Sequence, residues 1–439
     1  MRTILGGLWQ HRDFRNLWAG QTASMLGSNM TAVAMPIIAS ITLHASIFEM
    51  GLLSASAYLP YLFVSLFVGA WLDRRTKRPI IILADLLRAV ILLIVPIAWW
   101  QGFLGMPLLI AVSLLIGMCS VVADIGSQSI LPVVVGRGDL VEGNSKLEVS
   151  RSASNIGGNA LGGALLQALG VGLSLVINSV LFIVSTVFTF LIRSPEPRPE
   201  RTQRRLWGDI ADGARFVVQH RTIRVLVLAT LIANFFALAK EPIYLLFITR
   251  TLGLAPAYVG LVLASAGVGA LIGALLAKRV SRAIPLGWLL VTTSAGIGVV
   301  NLLTPVATIV PTVFAVVLLV VTHVLDAALV IISNVNLRSY RSAVTPDNMQ
   351  ARMNASIRMI VVGIAPIGGI VGGIVGGVLG ITPALIVTSI GVLAAALPIA
   401  FSHIRHVTAI PDEEEADAAG TDSSQPNEPD ESRVGSHDS

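Results

Sequence analysis

The chain has 439 residues, of which 54% are hydrophobic and only 13% are charged, whereas about 25% of the residues of a typical soluble domain are charged. This composition excludes a soluble globular protein, and apolar stretches long enough to cross a bilayer recur along most of the chain. The single cysteine, Cys119, excludes an intrachain disulfide and a cysteine-based metal site. We therefore expect a polytopic membrane protein in contact with lipid and without a cofactor.

The first apolar stretch follows a polar, basic segment and lacks a small-residue cleavage site, so we expect a retained helix and not a signal peptide. An even number of spans places both termini on the same side of the membrane. The hydrophobic pattern predicts twelve spans, at residues 16–41, 48–72, 79–100, 106–135, 151–170, 172–192, 225–249, 256–277, 285–303, 309–334, 357–379 and 383–402.

Basic residues mark the loops that follow the even-numbered spans, as at Arg75, Lys278 and Arg338, whereas the opposite loops hold only Arg250. The positive-inside rule therefore predicts a cell-membrane protein with both termini in the cytoplasm. Residues 411–439 hold ten of the 25 acidic residues, which leaves the rest of the chain with a net charge of +14. In a membrane protein such a surplus reports orientation, so no nucleic-acid partner is expected.

Four regions follow from this pattern: a six-helix bundle at 1–192, a cytoplasmic linker at 193–224, a second six-helix bundle at 225–405 and a disordered acidic cytoplasmic tail at 406–439. The linker is too short for a catalytic domain. The chain also lacks the G-x-x-x-x-G-K-[ST] pattern that binds nucleotide phosphates. ATP hydrolysis is therefore not expected.

The two bundles resemble each other in sequence, with offsets of 204 to 209 residues between matching segments. Two six-span repeats enter the membrane in the same orientation, which predicts an all-α membrane protein whose halves rock around a central site. The matches pair HRDFR at His11 with HRTIR at His220, EMGLLSAS at Glu49 with YVGLVLAS at Tyr258, GAWLDRR at Gly69 with GALLAKR at Gly273, and GGNALGG at Gly157 with GIAPIGG at Gly363.

Residues 69–78, GAWLDRRTKR, resemble the loop between helices 2 and 3 of the major facilitator superfamily, whose pattern is G-x-x-x-D-R-x-G-R-[RK]. The resemblance implies the major facilitator fold for residues 1–405, with spans 1, 4, 7 and 10 around the cavity. It also implies that the aspartate latches a cytoplasmic gate. The matching residues are Gly69, Asp73, Arg74, Lys77 and Arg78, and Thr76 replaces the usual glycine.

The segments FRNLWAGQTASMLGSNM, ADLLR and RMIVVGIAPIGG are similar to the branch that contains macrolide-efflux proteins and the enterobactin exporter. Two markers of proton antiporters differ here. The fourth span has no arginine, and Asn159 replaces the proline of the helix 5 motif. The resemblance implies a monomeric exporter of small organic compounds.

Ionisable residues within the spans are candidate proton or substrate sites, because a charge in hydrocarbon is costly unless it faces a partner or a wet cavity. His323 and Asp326 share one helix face, where the carboxylate can raise the proton affinity of the imidazole. We expect Asp124 and Asp326 to face each other across the cavity. The open alternatives are a histidine satisfied by a neighbour, an aspartate that caps a helix break and a buried interhelical ion pair. The ionisable candidates are Asp124, Lys240, Glu241, His323 and Asp326, and the polar Asn29 of span 1 is a candidate for hydrogen bonding to a substrate.

Small residues that recur along spans 5 and 11 predict close helix packing. Asp85 and Arg88, on one face of span 3, are expected to pair with each other or with the loop after span 2. The packing candidates are Gly158, Gly162, Gly163, Gly363, Pro366 and Gly369.

The sequence thus predicts proton-coupled efflux of a drug, macrolide or siderophore-like compound by alternating access. An importer of a sugar or organic acid remains the alternative, although aromatic residues, which help to grip such substrates, make up only 6% of the chain. A membrane-embedded enzyme that uses His323 and Asp326 is disfavoured, because no nucleophile or closed zinc ligand set accompanies them.

Overall fold

The computed structural model describes residues 7–72, 75–136, 139–196, 206–345 and 347–408, and nearly all of this chain is helical. The predicted tail lies outside the described residues from residue 409 onward. The helices are α1 Arg12–Ile37, α2 Ile47–Leu72, α3 Lys77–Trp100, α4 Met106–Val135, α5 Leu140–Phe190, α6 Leu206–Gln219, α7 Arg221–Leu246, α8 Pro256–Ala283, α9 Leu286–Leu302, α10 Thr312–Ala343, α11 Asp347–Leu379, α12 Ile381–Ala394 and α13 Leu397–Ala400.

Eleven helices of the described chain are long and apolar enough to cross a membrane. The 51-residue α5 is interrupted at Gly170, whose φ of 71° lies in the left-handed region that glycine adopts without strain. Division of α5 at Gly170 gives two spans and a total of twelve, in agreement with the sequence prediction. The protein is therefore a multi-pass all-α membrane protein.

The twelve spans form two halves, with α1–α5 in the first and α7–α12 in the second. The connection between them contains the predicted linker, but part of it is ordered as α6, which packs on α7 and α11. Val217 of α6 is buried in a cluster with Ile223 of α7 and Met353 of α11. The end of the linker is therefore attached to the second half.

Two ends of this bundle differ in character. At the basic end, α2, α4, α8 and α10 finish among residues such as Arg75, Lys278 and Arg338. At the opposite end, which we call the closed end, α1 and α7 each continue into a wider π-helical turn, Ile38–Thr42 and Phe247–Thr251. These two turns meet where the halves join.

The halves contact each other along two seams, α2 against α11 and α5 against α8. A Cβ built on Gly51 would lie 2.5 Å from the Gly369 carbonyl oxygen, and one built on Gly260 would lie 2.7 Å from the Asn159 carbonyl oxygen. Gly51 and Gly260 are 209 residues apart and occupy equivalent positions of the repeat. Their partners, Gly369 and Asn159, are therefore equivalent as well, and these are 210 residues apart. The sequence match of Gly157 with Gly363, 206 apart, is therefore wrong by four residues, about one helical turn.

Candidate functional site

A cavity of about 530 Å³ lies between the two halves. Its wall comes from α1, α2, α3, α4 and α5 of the first half and from α7 and α8 of the second. This volume lies within the roughly 300–1,000 Å³ of typical ligand pockets. The cavity thus has the position and the size of a central transport site for a small molecule.

Two carboxylates reach this cavity, one from each half. Asp124 of α4 and Glu241 of α7 both line it, and both side chains are exposed although they lie deep within the bundle. The exposure of these side chains is therefore exposure to the cavity, where water can solvate a charge that the surrounding hydrocarbon could not.

Two tyrosines of α2, Tyr58 and Tyr61, line the same cavity as these acids. They are three residues apart and share one face of the helix. The Tyr61 hydroxyl donates to Asp124 Oδ2 at 2.7 Å. Tyr61 therefore links α2 to the acid of α4.

Asn29 of α1 also lines the cavity. Its amide nitrogen donates to the Met25 carbonyl at 2.8 Å, and its amide oxygen accepts from Asn155 Nδ2 of α5 at 3.4 Å. The second bond joins α1 to α5, and the two bonds together fix the orientation of the Asn29 side chain at the wall.

Asp85 and Arg88 form a buried ion pair in α3, with 3.0 Å between Asp85 Oδ1 and Arg88 Nη1. Ser24 Oγ bonds both partners, at 3.2 Å to Asp85 Oδ1 and 3.0 Å to Arg88 Nη1. Ser185 Oγ donates to Asp85 Oδ2 at 2.6 Å, and the Arg88 guanidinium lies 4.1 Å from the centre of the Phe182 ring. Of the two pairings expected for these residues, the structure shows the pair within α3.

Asp326 has a different partner from the one expected. Asn301 Nδ2 of α9 donates to Asp326 Oδ1 at 2.7 Å, while Asn301 Oδ1 accepts from the Lys240 ammonium. His323 stacks on Tyr244, with parallel rings 5.6 Å apart. The structure thus links Asp326 through an amide to Lys240 and does not show the expected hydrogen bond with His323.

The expected cavity wall needs correction at α10. None of the described residues that line the cavity belongs to α10, so neither Asp326 nor His323 faces it, and the acid that shares the cavity with Asp124 is Glu241. The correction has a physical reason. Asp326 and Lys240 lie within the second half, where the Asn301 amide forms a hydrogen bond with each of them.

Two residues of the loop motif, Asp73 and Arg74, lie outside the described residues, while Gly69 lies within α2. The Glu196 carboxylate accepts from the backbone N–H of Lys77 at 2.5 Å and of Arg78 at 2.8 Å, and so caps the N-terminus of α3. The Arg78 guanidinium donates to the Phe190 carbonyl. The described part of the motif therefore binds the end of α5 and the chain segment that follows it.

The glycines of α5 face two different neighbours. Gly158 and Gly162 lie against α1, where a Cβ would meet Leu26 and Met30, whereas Gly163 lies against α8 at Pro256 and Gly260. On α11, Gly363 approaches Leu62, Gly369 approaches Gly51, and Pro366 lies inside the helix. These contacts place the predicted packing residues both within the first half and at its seams with the second.

Two residues that bind ionisable groups, Tyr61 and Asn301, and the cavity-lining Tyr58 were absent from the sequence-based candidates. The available signal was the spacing of the two tyrosines, which are three apart in a helix of an otherwise aromatic-poor chain. Asn301 carried a weaker signal, as an amide near the end of a predicted span.

Hydrogen bonds join the two halves at the closed end. Ser40 Oγ and Thr249 Oγ1 lie 2.5 Å apart, and the Arg250 guanidinium donates to the Ser40 carbonyl at 3.0 Å. Nearby, the Ala257 N–H donates to Gln167 Oε1 at 3.0 Å. Ser40 is buried. The cavity is therefore sealed from the closed end by contacts between the π-helical turns.

Two six-helix halves around a central cavity with membrane-embedded acids define a membrane transporter. The model of the transmembrane secretion effectors, a family of the major facilitator superfamily (MFS), matches residues 8–431. The chain belongs to this family, whose members are transporters and not enzymes, and the resemblance stated from the loop motif is confirmed.

Among curated relatives, the uncharacterized MFS-type transporter YvqJ of Bacillus subtilis (strain 168) is 27% identical over 271 residues, 60% of this chain and 64% of that protein. The chain thus matches less than two thirds of the length of YvqJ. The multidrug efflux pump Tap of Mycolicibacterium fortuitum is 25% identical over 312 residues, 66% of this chain and 73% of the pump.

Solved structures share the fold at low identity. The nucleoside transporter NupG superposes with a TM-score of 0.73 at 14% identity and covers 88% of this chain and 98% of its own. An inward-facing, unoccupied bacterial homolog of the human lysosomal transporter Spinster gives a TM-score of 0.69 at 14% identity, with coverages of 92% and 98%. These likenesses show the MFS fold and do not assign a substrate.

Proposed function

We propose that this protein exports small amphipathic organic compounds from the cytoplasm by alternating access, with inward proton flow as the driving force. The observation that carries the proposal is the cavity between the halves, in which Asp124 and Glu241 are exposed while the closed end is sealed. A carboxylate in such a cavity can exchange its proton for substrate as the access side changes. The similarity to the pump Tap supports the direction of transport.

In this proposal the basic end faces the cytoplasm, as the positive-inside rule predicts. The sealed Ser40–Thr249 contact then belongs to an inward-facing state, in which the cavity is reached from the side of Arg151. Structural neighbours were captured in inward-facing states, so the fold is known to adopt the state proposed here. Opening toward the outside requires the two π-helical turns to separate.

The test combines gene deletion and overexpression in the source organism with a panel of amphipathic antibiotics, including macrolides. Overexpression is expected to lower the accumulation of at least one compound, and a protonophore is expected to abolish that difference. Asp124→Asn and Glu241→Gln should each remove the difference, whereas Asp139→Asn should retain it, because Asp139 is exposed and makes no capping hydrogen bond. Efflux that persists with the protonophore would refute proton coupling, and increased accumulation on overexpression would indicate uptake.

A further inference from the structure

The cavity acids also define the charge of the compound that fits there. Among the described residues, the ion pairs with a nitrogen–oxygen distance of at most 4.0 Å are Asp85–Arg88, Glu142–Lys146 and Glu148–Arg151. Asp124 and Glu241 belong to none of these pairs. The Tyr61 hydroxyl that donates to Asp124 is a neutral phenol and does not cancel the charge of an ionised carboxylate.

The arginines of the cavity wall do not offset this charge. Arg88 is paired with Asp85 and only 2% of its side chain is exposed, and Arg151 is paired with Glu148 at 3.3 Å. Lys240 is not among the described residues that line the cavity, and its ammonium binds Asn301, whose amide also binds the acid Asp326. The unpaired charges on the wall itself are therefore the two carboxylates.

The two acids line one cavity, together with Tyr58 and Tyr61. These tyrosines are three residues apart, so their Cα atoms are displaced by about 4.5 Å along α2. Phenol rings and carboxylates in one cavity are a favourable environment for a positive charge, because the ring quadrupole attracts cations.

The remainder of the wall is mostly apolar and adaptable. Met25, Met35 and Met50 line the cavity, and the flexible, polarisable side chain of methionine suits surfaces that accept differently shaped apolar groups. Such a wall can accommodate the apolar body of a ligand while the acids bind its charge.

Together, these features lead us to infer that the transported compounds are amphipathic organic cations, whose positive centre binds Asp124 and Glu241 and displaces the Tyr61 hydroxyl from Asp124. The inference rests on the proposed transport function and adds the charge class of the cargo. An anionic cargo would place its charge against two unpaired carboxylates. A sugar would offer no apolar body to pack against the methionine side chains.

The experiment compares two probes of nearly identical shape and opposite charge, tetraphenylphosphonium and tetraphenylborate. Equilibrium dialysis against the purified full-length protein in detergent at pH 8 measures the binding of each. We expect tetraphenylphosphonium to bind at least about tenfold more tightly than tetraphenylborate. Asp124→Asn and Glu241→Gln should each weaken the binding of the cation about tenfold or more, because each removes one partner of a desolvated charge pair.

The control is Asp139→Asn, which removes an exposed acid outside the cavity and should leave both affinities unchanged. Equal binding of the two probes, tighter binding of the borate, or cation binding that does not respond to the cavity variants would overturn the inference. Absence of cation binding to a folded protein, as judged by gel filtration and thermal unfolding, would overturn it as well.

The outcome separates this inference from the proposed function. Cation binding that depends on Asp124 and Glu241, without proton-driven movement in reconstituted vesicles, would sustain the charge class and refute the transport mechanism. Proton-driven export in cells together with a preference for the borate would support the transport mechanism and refute the charge class.

Discussion

Ser40 and Thr249 form a hydrogen bond with each other, and they occupy the same position in the two halves of the molecule. Their separation of 209 residues equals that between the repeats HRDFR and HRTIR, and between Gly51 and Gly260. Two equivalent residues can meet only on the approximate two-fold axis that relates the halves. The closed end is therefore sealed on that axis, where a rocking motion of either half separates the pair.

A disulfide between positions 40 and 249 should block transport. Ser40→Cys with Thr249→Cys, in a Cys119→Ala background that removes the single native thiol, is expected to cross-link under mild oxidation and to stop efflux. A reductant should restore activity, since the bond prevents only the separation of the two turns. The two single-cysteine variants, treated identically, are the controls. Full efflux by a protein shown to be cross-linked would contradict the role of this contact in gating.

Much of the fold was predictable because its determinants are local. Span lengths follow from the thickness of the bilayer, and the repeat is visible in short matching segments such as those at His11 and His220. The register between spans 5 and 11 was not predictable. Both helices carry glycines every four residues, so a shift of one turn again aligns small residues, and only the contacts of Gly51 and Gly260 identify the equivalent positions.

Only part of the functional site was predictable, because only some of its determinants are local in the sequence. Charged residues in a membrane span are conspicuous, and Asp124 and Glu241 were identified on that basis. Which of them face the cavity depends on helix rotation and on partners far away in sequence. Asn301 of α9 is 25 residues from Asp326 and 61 from Lys240, and it binds both side chains.

Two glycine substitutions test the seam between α5 and α8. A Cβ at position 163 would collide with the Pro256 carbonyl oxygen and would lie 2.8 Å from Gly260 Cα. Gly163→Ala is therefore expected to reduce transport and to destabilise the protein by about 1–3 kcal/mol, the usual cost of overpacking. A Cβ at position 377 would have no atom within 4 Å. Gly377→Ala should leave transport intact and be neutral or stabilising in thermal unfolding, and equal effects of the two substitutions would contradict the close contact at Gly163.

Loss of Arg88 should destabilise the first half. Arg88→Gln leaves the Asp85 carboxylate buried without its cation, which typically costs about 3–5 kcal/mol. The double variant Asp85→Asn with Arg88→Gln should recover part of this loss, because no buried charge then remains.

Arg151→Gln is the matched control. It removes an exposed pair with the same i,i+3 spacing, and such pairs contribute at most about 1 kcal/mol. The thermal unfolding midpoint of each purified variant measures the effect, and similar shifts for Arg88→Gln and Arg151→Gln would count against the buried network.

His220 should make the stability of the second half depend on pH. Burial, followed by the positive charge of nearby His403, lowers the pKa of His220 from its ordinary value of 6.5. The folded state therefore resists a proton that the unfolded chain accepts, so stability present above pH 6.5 is lost as the pH falls below that value.

The ring Nδ1 of His220 accepts from the Ile223 N–H at 3.4 Å at the start of α7. Asparagine can cap the helix in the same way without titrating. We expect the unfolding midpoint of His220→Asn to fall less between pH 8 and pH 5.5 than that of the parent protein. His11→Asn, at the equivalent start of α1, serves as the control for the substitution itself. An unchanged pH dependence in His220→Asn would show that the histidine is not the group whose protonation opposes folding.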